Sequence, residues 1–282
     1  MFELRTKSRN KNYNTKQIII KVTQQLKRRN KKIMQDVENV YQDAYYRTKY
    51  HKRLFIHDIS NLFQIISNSI ELCETLLKDG VNRENIAEYF QMIMQQLTHG
   101  KKLIRNVRNL SEIEEFEVPL EPVEVLSILR SAINFSRISF PKREIDIKVI
   151  SDYGNVYALV NKLISEVFEN IIMNSIIYNK KKVVQIEVVI SKADNHYKNN
   201  VKIEFKDNGV GIDDARKGTL FHEVHLKRRH SKGMGIGLSL VAKLIGLYGG
   251  EIWVENRVKG DSTKGSNFII LIPLVKKMEG DV

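Results

Sequence analysis

Two asparagines interrupt an apolar helical stretch in the second half of the chain. Asn170 and Asn174 lie four residues apart among isoleucine and methionine residues, and Tyr178 continues the spacing, so the three side chains share one face of a predicted helix. A buried amide costs free energy unless it has a partner. The side-chain oxygen of asparagine suits Mg²⁺, which takes few protein ligands when phosphates supply the rest. An amphipathic helix with an ordinary polar stripe is the alternative interpretation.

An acidic turn follows farther along the chain. Asp207 stands at the end of a predicted strand, and Gly209 and Gly211 after it permit a tight turn and the close approach of another backbone. A carboxylate in this position can accept a hydrogen bond from the exocyclic amine of adenine. A turn without a ligand also explains this segment when it is taken alone.

Three glycines stand at the predicted start of a later helix. Gly233, Gly235 and Gly237 alternate with apolar residues and precede Leu238. Glycines at a helix N-terminus let backbone N–H groups reach a phosphate, and the helix dipole favours the anion. The dinucleotide-binding pattern requires glycine where Leu238 stands, and a P-loop requires a Gly-Lys-Ser/Thr sequence, so both of those sites are excluded.

A histidine in the first half of the chain has neighbours that suit phosphoryl transfer. His57 is followed by Asp58, and Asn61 lies one helical turn later, off the apolar seam and open to solvent. Neutral imidazole accepts a phosphoryl group near pH 7. An adjacent carboxylate can orient the ring and take its proton as the phosphoryl group arrives.

Heptad-patterned segments surround this histidine. Apolar residues repeat at steps of three and four over residues 56–77 and, after a break at residues 78–80, over residues 86–107. The pattern predicts an antiparallel helical hairpin whose narrow seams are buried by pairing two hairpins into a dimeric four-helix bundle. A shorter apolar pattern over residues 26–44 predicts a basic coiled-coil lead-in.

Beyond an acidic, proline-containing boundary at residues 111–122, helical and strand patterns alternate. This alternation predicts an α+β protein whose C-terminal part is an α/β sandwich, with one sheet covered by helices on one face. The predicted helices are residues 125–135 and 160–178. The predicted strands are residues 144–150, 183–191, 201–206, 251–255 and 267–274.

In their order and separation, the motifs around Asn174, Asp207 and Gly235 resemble the N, G1 and G2 boxes of the ATP-binding fold shared by histidine kinases, gyrase, HSP90 and MutL. Residues 265–274 are similar to its closing G3 segment, and residues 57–61 resemble the H-box of histidine kinases. The resemblance implies ATP and Mg²⁺ as cofactors, with Asn174 as the metal ligand, and a mobile ATP lid at residues 213–232. The nucleotide-binding residues that it implies are Asn170, Asn174, Tyr178, Asp207, Gly209, Gly211, Gly233, Gly235, Gly237 and Leu238.

Asn170 separates kinase from hydrolase within this resemblance. Hydrolytic relatives place a glutamate there to activate water, so Asn170 favours transfer to a better nucleophile. We therefore predict a protein histidine kinase of a two-component system that phosphorylates His57 and passes the group to an aspartate of a response regulator. The resemblance gives Asn61 a role in the reverse phosphatase reaction. Ile177 and Leu62 depart from the family pattern, which has lysine and proline at those positions.

Three segments follow from these patterns: a basic segment and lead-in at residues 1–53, a dimerisation and phosphotransfer hairpin at residues 54–115, and an ATP-binding catalytic domain at residues 118–278. The lead-in would receive its signal from an upstream sensor protein. A non-catalytic dimeric scaffold of the same family is the alternative function. A nucleic-acid-associated ATPase of the MutL or gyrase type is opposed by Asn170 and by the hairpin.

The net charge of +13 is concentrated near the N-terminus, where residues 1–53 contain 15 Lys and Arg residues and four acids. This segment is a candidate for contact with an anionic membrane surface, nucleic acid or an acidic protein, and a solvated helix is the alternative. Charged residues follow Met1, and no apolar run reaches the roughly 20 residues that cross a bilayer, so we expect neither a signal peptide nor a transmembrane segment. The single Cys73 cannot form an internal disulfide. We therefore expect a soluble cytoplasmic homodimer.

Overall fold

The computed structural model describes residues 2–78, 83–115, 119–193, 199–218, 220–221 and 235–275. The chain divides into two compact units, Met1–His51 and Lys52–Val282. The first unit consists of the N-terminal part of helix α1 (Phe2–Lys78). Its apolar stripe is open to solvent in the single chain, since the exposed fractions of Leu26, Val37 and Val40 are 53%, 60% and 69%.

The second unit begins with a helical hairpin formed by the remainder of α1 and by α2 (Arg83–Glu115). Leu62 and Cys73 on α1 are buried, as are Leu103 and Leu110 on α2. Part of the predicted heptad seam is left exposed, since Ile56, Phe63 and Ile70 are 53%, 65% and 45% accessible. The hairpin therefore buries one face of α1 internally and presents a second apolar face to solvent.

The rest of this unit is a mixed sheet covered by helices. The strands are β1 (Glu121–Glu124), β2 (Glu144–Ser151), β3 (Tyr157–Val160), β4 (Val183–Lys192), β5 (Asn200–Asp207), β6 (Glu251–Val258) and β7 (Asp261–Pro273). The helices are α3 (Val125–Ser139), α4 (Ile164–Ile177), α5 (Asp214–Lys217) and α6 (Ile236–Leu247). Five strands form one sheet in the order β2-β4-β5-β7-β6, and β1 pairs with β3. Strand β2 is parallel to β4, and the remaining pairs are antiparallel.

Alternation along the strands separates a core face from a polar face. In β5, Val201, Ile203 and Phe205 are fully buried, whereas the residues between them are only half-buried. Phe205 packs against Phe168 of α4, with 5.9 Å between the ring centroids. This confirms the predicted fold class, an α+β chain whose sheet is covered by helices on its apolar face.

The structure corrects the predicted start of the asparagine-bearing helix. Residues 157–160 form β3, which pairs with β1, and α4 begins only at Ile164. The side-chain oxygen of Asn161 accepts a hydrogen bond from the backbone N–H of Leu163, which forms the turn between strand and helix. Within the described ranges, none of the helices has an apolar stretch long enough to cross a membrane.

Candidate functional site

Helix α4 carries polar residues along a face that runs from the interior to the surface. Asn170 is 4% exposed, Asn174 is half-buried, and Tyr178 is 67% exposed at the C-terminal end of the helix. The backbone N–H of Tyr178 donates to the carbonyl of Asn174 and closes the last turn. None of the described residues hydrogen-bonds to the side chain of Asn174, so its oxygen is available to a ligand.

Asp207 is a buried carboxylate held by backbone donors. Its Oδ1 accepts hydrogen bonds from the N–H groups of Gly209 at 2.8 Å and Ser266 at 3.2 Å. Ser175, next to Asn174 in the sequence, donates weakly to Oδ2 at 3.4 Å. Burial raises the pKa of Asp207, and the backbone donors oppose that shift by favouring the ionised form. Oδ2 is therefore the oxygen with capacity for a further donor.

Two glycines allow the turn after Asp207 to lie against strand β7. Gly211 has a φ of 72°, and a Cβ there would lie 1.9 Å from the carbonyl oxygen of Ser262. Gly265 has a φ of 105°, and its Cβ would lie 2.0 Å from the carbonyl oxygen of Asp207. Both positions therefore require glycine for the conformation and for the contact.

A buried amide network supports this turn, and it was not predicted from the sequence. Asn208 Oδ1 accepts from Asn179 Nδ2 at 2.6 Å and from the N–H of Gln185 at 2.9 Å. Asn208 Nδ2 donates to the carbonyl of Val183 at 3.2 Å. The network joins the end of α4, the start of β4 and the turn. Its only sequence signal was the position of Asn179 and Asn208 beside Tyr178 and Asp207.

The third motif starts helix α6. Gly235 is the N-cap residue, and Leu238 is buried. Gly237 packs directly on the asparagine helix, because a Cβ there would lie 2.7 Å from Asn170 Oδ1. Gly233 and residues 222–232 of the predicted lid lie outside the described residues. In the described part of the lid, the ring of Phe221 packs edge-on against Phe268, with 6.2 Å between their centroids.

Polar residues of the hairpin contact this same helix. Asn106 Nδ2 donates to Asn170 Oδ1 at 3.2 Å, and Asn170 Nδ2 donates to the carbonyl of Glu166 at 2.8 Å. Arg105 pairs with Glu166 at 2.9 Å and with Glu169 at 2.5 Å. We call this set the α2–α4 clasp; its members are Lys102, Arg105 and Asn106 on α2, and Glu166, Glu169, Asn170 and Met173 on α4.

Lys102 is the most deeply buried cation of the clasp. It is 7% exposed, and its Nζ lies 2.9 Å from the thioether sulfur of Met173. Burial lowers the pKa of Lys102 to about 8, although Glu169 and Glu166 act to raise it. Burial also raises the pKa of Glu166, against the influence of Arg105. The clasp therefore holds charged groups in surroundings that disfavour their charged forms.

The H-box residues lie together on the hairpin. His57 has a 69% exposed side chain, and its Nδ1 is 3.1 Å from Asp58 Oδ1. Asn61 Nδ2 is 3.3 Å from the same nitrogen. No hydrogen bond among the described residues connects His57 with the α4, β5 or α6 motifs. The structure thus groups the predicted site residues into two sets, one on the hairpin and one on the sheet domain.

The second set fits a magnesium nucleotide. Asn174 has an amide oxygen without a hydrogen-bond partner among the described residues, and Asp207 has an acceptor. Gly235 and Gly237 present the backbone of the α6 N-terminus without side chains. No cluster of three or more His, Cys, Asp and Glu side chains that could hold a metal occurs among the described residues. An ion bound by asparagine and phosphate oxygens does not need such a cluster.

Comparisons with known proteins agree with this geometry. Residues 160–276 match the family of histidine kinase-, DNA gyrase B- and HSP90-like ATPases. The chain is 24% identical over 233 residues to the adaptive-response sensory kinase SasA of Synechocystis, covering 79% of this chain and 58% of that protein. It is 24% identical over 241 residues to the sensor protein kinase WalK of Staphylococcus haemolyticus, covering 82% of this chain and 38% of WalK. The chain thus spans less than two thirds of the length of either relative.

Two solved structures share the fold beyond this domain. The histidine kinase AdeS of Acinetobacter baumannii superposes with a TM-score of 0.51 and 18% identity, covering 78% of this chain and 98% of that chain. Full-length ShkA in complex with AMPPNP has a TM-score of 0.51 and 16% identity, covering 80% of this chain and 46% of that one. The match to the histidine kinase-, DNA gyrase B- and HSP90-like ATPase family thus covers residues 160–276, and the chain is similar to sensor histidine kinases over most of its length.

Proposed function

We propose that this chain is an ATP-dependent protein histidine kinase of a two-component system, which phosphorylates itself on His57 and transfers the group to an aspartate of a response regulator. The observation that carries the proposal is the proximity of the motifs around Asn174 and Asp207, which Ser175 connects by its hydrogen bond to Asp207. The α6 N-terminus reaches the same helix through Gly237. These three motifs occur in a family that binds ATP.

The nucleotide site would use residues from all three motifs. Asn174 would ligate Mg²⁺ through its free oxygen, and Asp207 Oδ2 would accept from the amine of adenine. Backbone N–H groups near Gly235 and Gly237 would face the phosphates, where the dipole of α6 favours an anion. Asn170 and Tyr178 would flank the metal along α4. When bound, Mg-ATP supplies the γ-phosphoryl group that is transferred.

The geometry around His57 supports its role as the acceptor. If Asp58 accepts the Nδ1 proton across 3.1 Å, Nε2 carries the free electron pair and is the nucleophile. The new bond joins Nε2 to phosphorus, the bond to the β-phosphate oxygen breaks, and ADP leaves. The Nδ1 proton passes to Asp58, so the phosphorylated ring stays neutral. Asn61 is close enough to hold a water in the reverse reaction, which makes phosphatase activity part of the proposal.

Partners follow from the exposed surfaces. The apolar face of the hairpin, including Phe63 and Ile70, would be covered by a second copy of the chain. The surface around His57 would receive the receiver domain of a response regulator. We propose that the lead-in comprises residues 1–53, the hairpin residues 54–115 and the ATP-binding domain residues 118–278. We also propose that the protein is cytoplasmic and that an upstream sensor protein acts on the lead-in.

The test is incubation of the chain with Mg-ATP labelled on the γ-phosphate, followed by measurement of acid-labile, base-stable phosphate on the protein. We expect label on the wild type and none on His57→Gln. The matched control is Glu74→Gln, at an exposed position farther along α1, which should leave the labelling intact. Label that persists in His57→Gln would refute the assignment of the acceptor. A dimer that never becomes labelled would favour the non-catalytic scaffold.

A further inference from the structure

The α2–α4 clasp occupies a residue that the proposed nucleotide site needs. Asn170 uses its side-chain oxygen to accept from Asn106 and its side-chain nitrogen to donate to the carbonyl of Glu166. Asn170 is only 4% exposed, and both polar atoms of its amide are engaged by protein groups. Asn174, one turn later on the same helix, has no such partner among the described residues. Of the two asparagines in this motif, Asn170 is therefore held by protein groups and Asn174 is accessible to a ligand.

The clasp differs from ordinary packing between two structural elements. Elsewhere α2 buries apolar residues such as Leu103 and Leu110. At α4 it instead buries Lys102 and Asn106, and it pairs Arg105 with two carboxylates. The side chain of Arg105 is still 37% exposed, whereas Glu166 and Glu169 are buried. Desolvation of the two carboxylates offsets much of their attraction to Arg105, so a contact of this kind contributes little net stability.

The clasp is also incompletely satisfied. Asn106 Oδ1 and Glu166 Oε2 are buried and have no hydrogen-bond partner among the described residues. A buried acceptor without a partner has lost its hydrogen bonds to water and has gained none from the protein. Separation of α2 from α4 would return both oxygens to water. This opposes the gain from the Asn106 to Asn170 hydrogen bond and makes the clasp a contact that a ligand can release.

We propose that the clasp restrains nucleotide binding: Asn106 and Arg105 of the hairpin hold α4 in an arrangement in which Asn170 is unavailable, and a magnesium nucleotide binds with release of Asn170 from Asn106. Gly237 lies at the same junction, since a Cβ there would be 3.4 Å from Asn106 Nδ2. A change in the hairpin is thus transmitted directly to two nucleotide motifs. The inference rests on the proposed nucleotide site.

Linkage makes the effect reciprocal. If docking of α2 on α4 and nucleotide binding oppose each other, removal of the docking contacts raises the affinity for the nucleotide. Binding of the nucleotide in turn exposes the docking residues. If Asn106 instead positions Asn170 for the nucleotide, removal of Asn106 lowers the affinity for the nucleotide. Asn106 acts through Asn170 in either case, and the sign of the affinity change distinguishes the two roles.

The first measurement is the affinity of the full chain for AMPPNP with Mg²⁺ by calorimetry. We expect Asn106→Ala and Arg105→Gln each to bind roughly five- to tenfold more tightly than the wild type, which is the lower end of typical coupling between sites. Ser111→Ala is the matched control, because Ser111 is exposed on the same helix and its hydroxyl donates to the carbonyl of Val107 in the preceding turn. Since unfolding weakens binding, a destabilised variant cannot imitate tighter binding.

The second measurement is acylation of lysines, read by mass spectrometry with and without the nucleotide. Lys102 is buried in the clasp and Lys101 beside it is exposed. Saturation with Mg-AMPPNP should raise the labelling of Lys102 several-fold and leave Lys101 unchanged. Unchanged or weaker affinity in both variants, or protection of Lys102 by the nucleotide, would overturn the inference. Absence of any binding by wild type and variants alike would instead refute the nucleotide site itself, and the inference with it.

Discussion

The side-chain amide of Asn179 donates to Asn208 across 2.6 Å, and this bond connects the end of helix α4 to the turn that carries Asp207. Because Asn174 and Asp207 lie on the two connected elements, the pair sets the spacing between the proposed metal ligand and the proposed adenine contact. Both asparagines are 5% exposed, so neither can replace its partner with water.

Asn208→Ala would leave the amide of Asn179, the N–H of Gln185 and the carbonyl of Val183 without their side-chain partner. We expect a loss of about 2–5 kcal/mol of unfolding free energy, measured by urea denaturation. Weaker nucleotide binding at temperatures where the variant is still folded is expected as well. Asn199→Ala, at an exposed site, should change stability by less than about 0.5 kcal/mol. Equal stabilities for the two variants would contradict the network.

Gly211→Ala should abolish nucleotide binding and destabilise the domain by about 2–4 kcal/mol, because the new Cβ meets the carbonyl oxygen of Ser262 at a positive φ. Thermal unfolding and AMPPNP titration would measure the two effects. Gly154→Ala is the comparison, since no atom lies within 4 Å of a Cβ at Gly154. Wild-type affinity in the Gly211→Ala variant would show that the close approach to β7 is not needed.

Stability should increase with pH in a window set by Lys102. The folded protein releases the Lys102 proton near pH 8 and the unfolded chain near pH 10.5, so between these values the unfolded state binds more protons and the folded state gains stability as pH rises. The gain is on the order of 2–3 kcal/mol across the window. Urea titrations over this range should show it in the wild type and in Lys101→Met but not in Lys102→Met. A rise that survives in Lys102→Met would assign it to another group.

Asp58→Asn should slow autophosphorylation by about 100-fold or more, because an amide keeps the shape of the carboxylate but does not take the ring proton. The initial rate of incorporation of acid-labile phosphate is the measurement. Asp36→Asn, at an exposed position on α1, should retain the wild-type rate. Equal rates in the two variants would remove Asp58 from the mechanism.

Ile70→Glu should dissociate the proposed dimer, since it places a charge on the exposed apolar face of the hairpin, where Ile70 is 45% accessible. Sedimentation at increasing protein concentration would follow the monomer–dimer equilibrium. Ile138→Glu, at a position 78% exposed on α3, should leave the association unchanged. A dimer of undiminished affinity in Ile70→Glu would place the interface elsewhere.

The hairpin and the five long strands could be predicted because their heptad and period-two patterns are long and local. Strands β1 and β3 could not, since four residues are too few to separate a strand from the first turn of a helix. The burial of Leu62 could not be predicted either, since Leu62 lies beside the heptad seam and not on it. Its side chain packs near Gly100 of α2 in the same chain. The clasp joins residues 64 positions apart in the sequence and depends on how two elements pack, which periodicity does not encode.

Gly237 lies against both Asn170 of helix α4 and Asn106 of the hairpin. A Cβ added at Gly237 would be 2.7 Å from Asn170 Oδ1 and 3.4 Å from Asn106 Nδ2. A substitution at Gly237 would therefore act on two elements at once, since it removes a proposed phosphate contact and also wedges α6 against the clasp. An inactive allele made at this glycine would combine lost nucleotide binding with a displaced hairpin. Alleles at Asp207 or Asn174, neither of which contacts the hairpin through a described hydrogen bond, would separate the two effects in a genetic experiment.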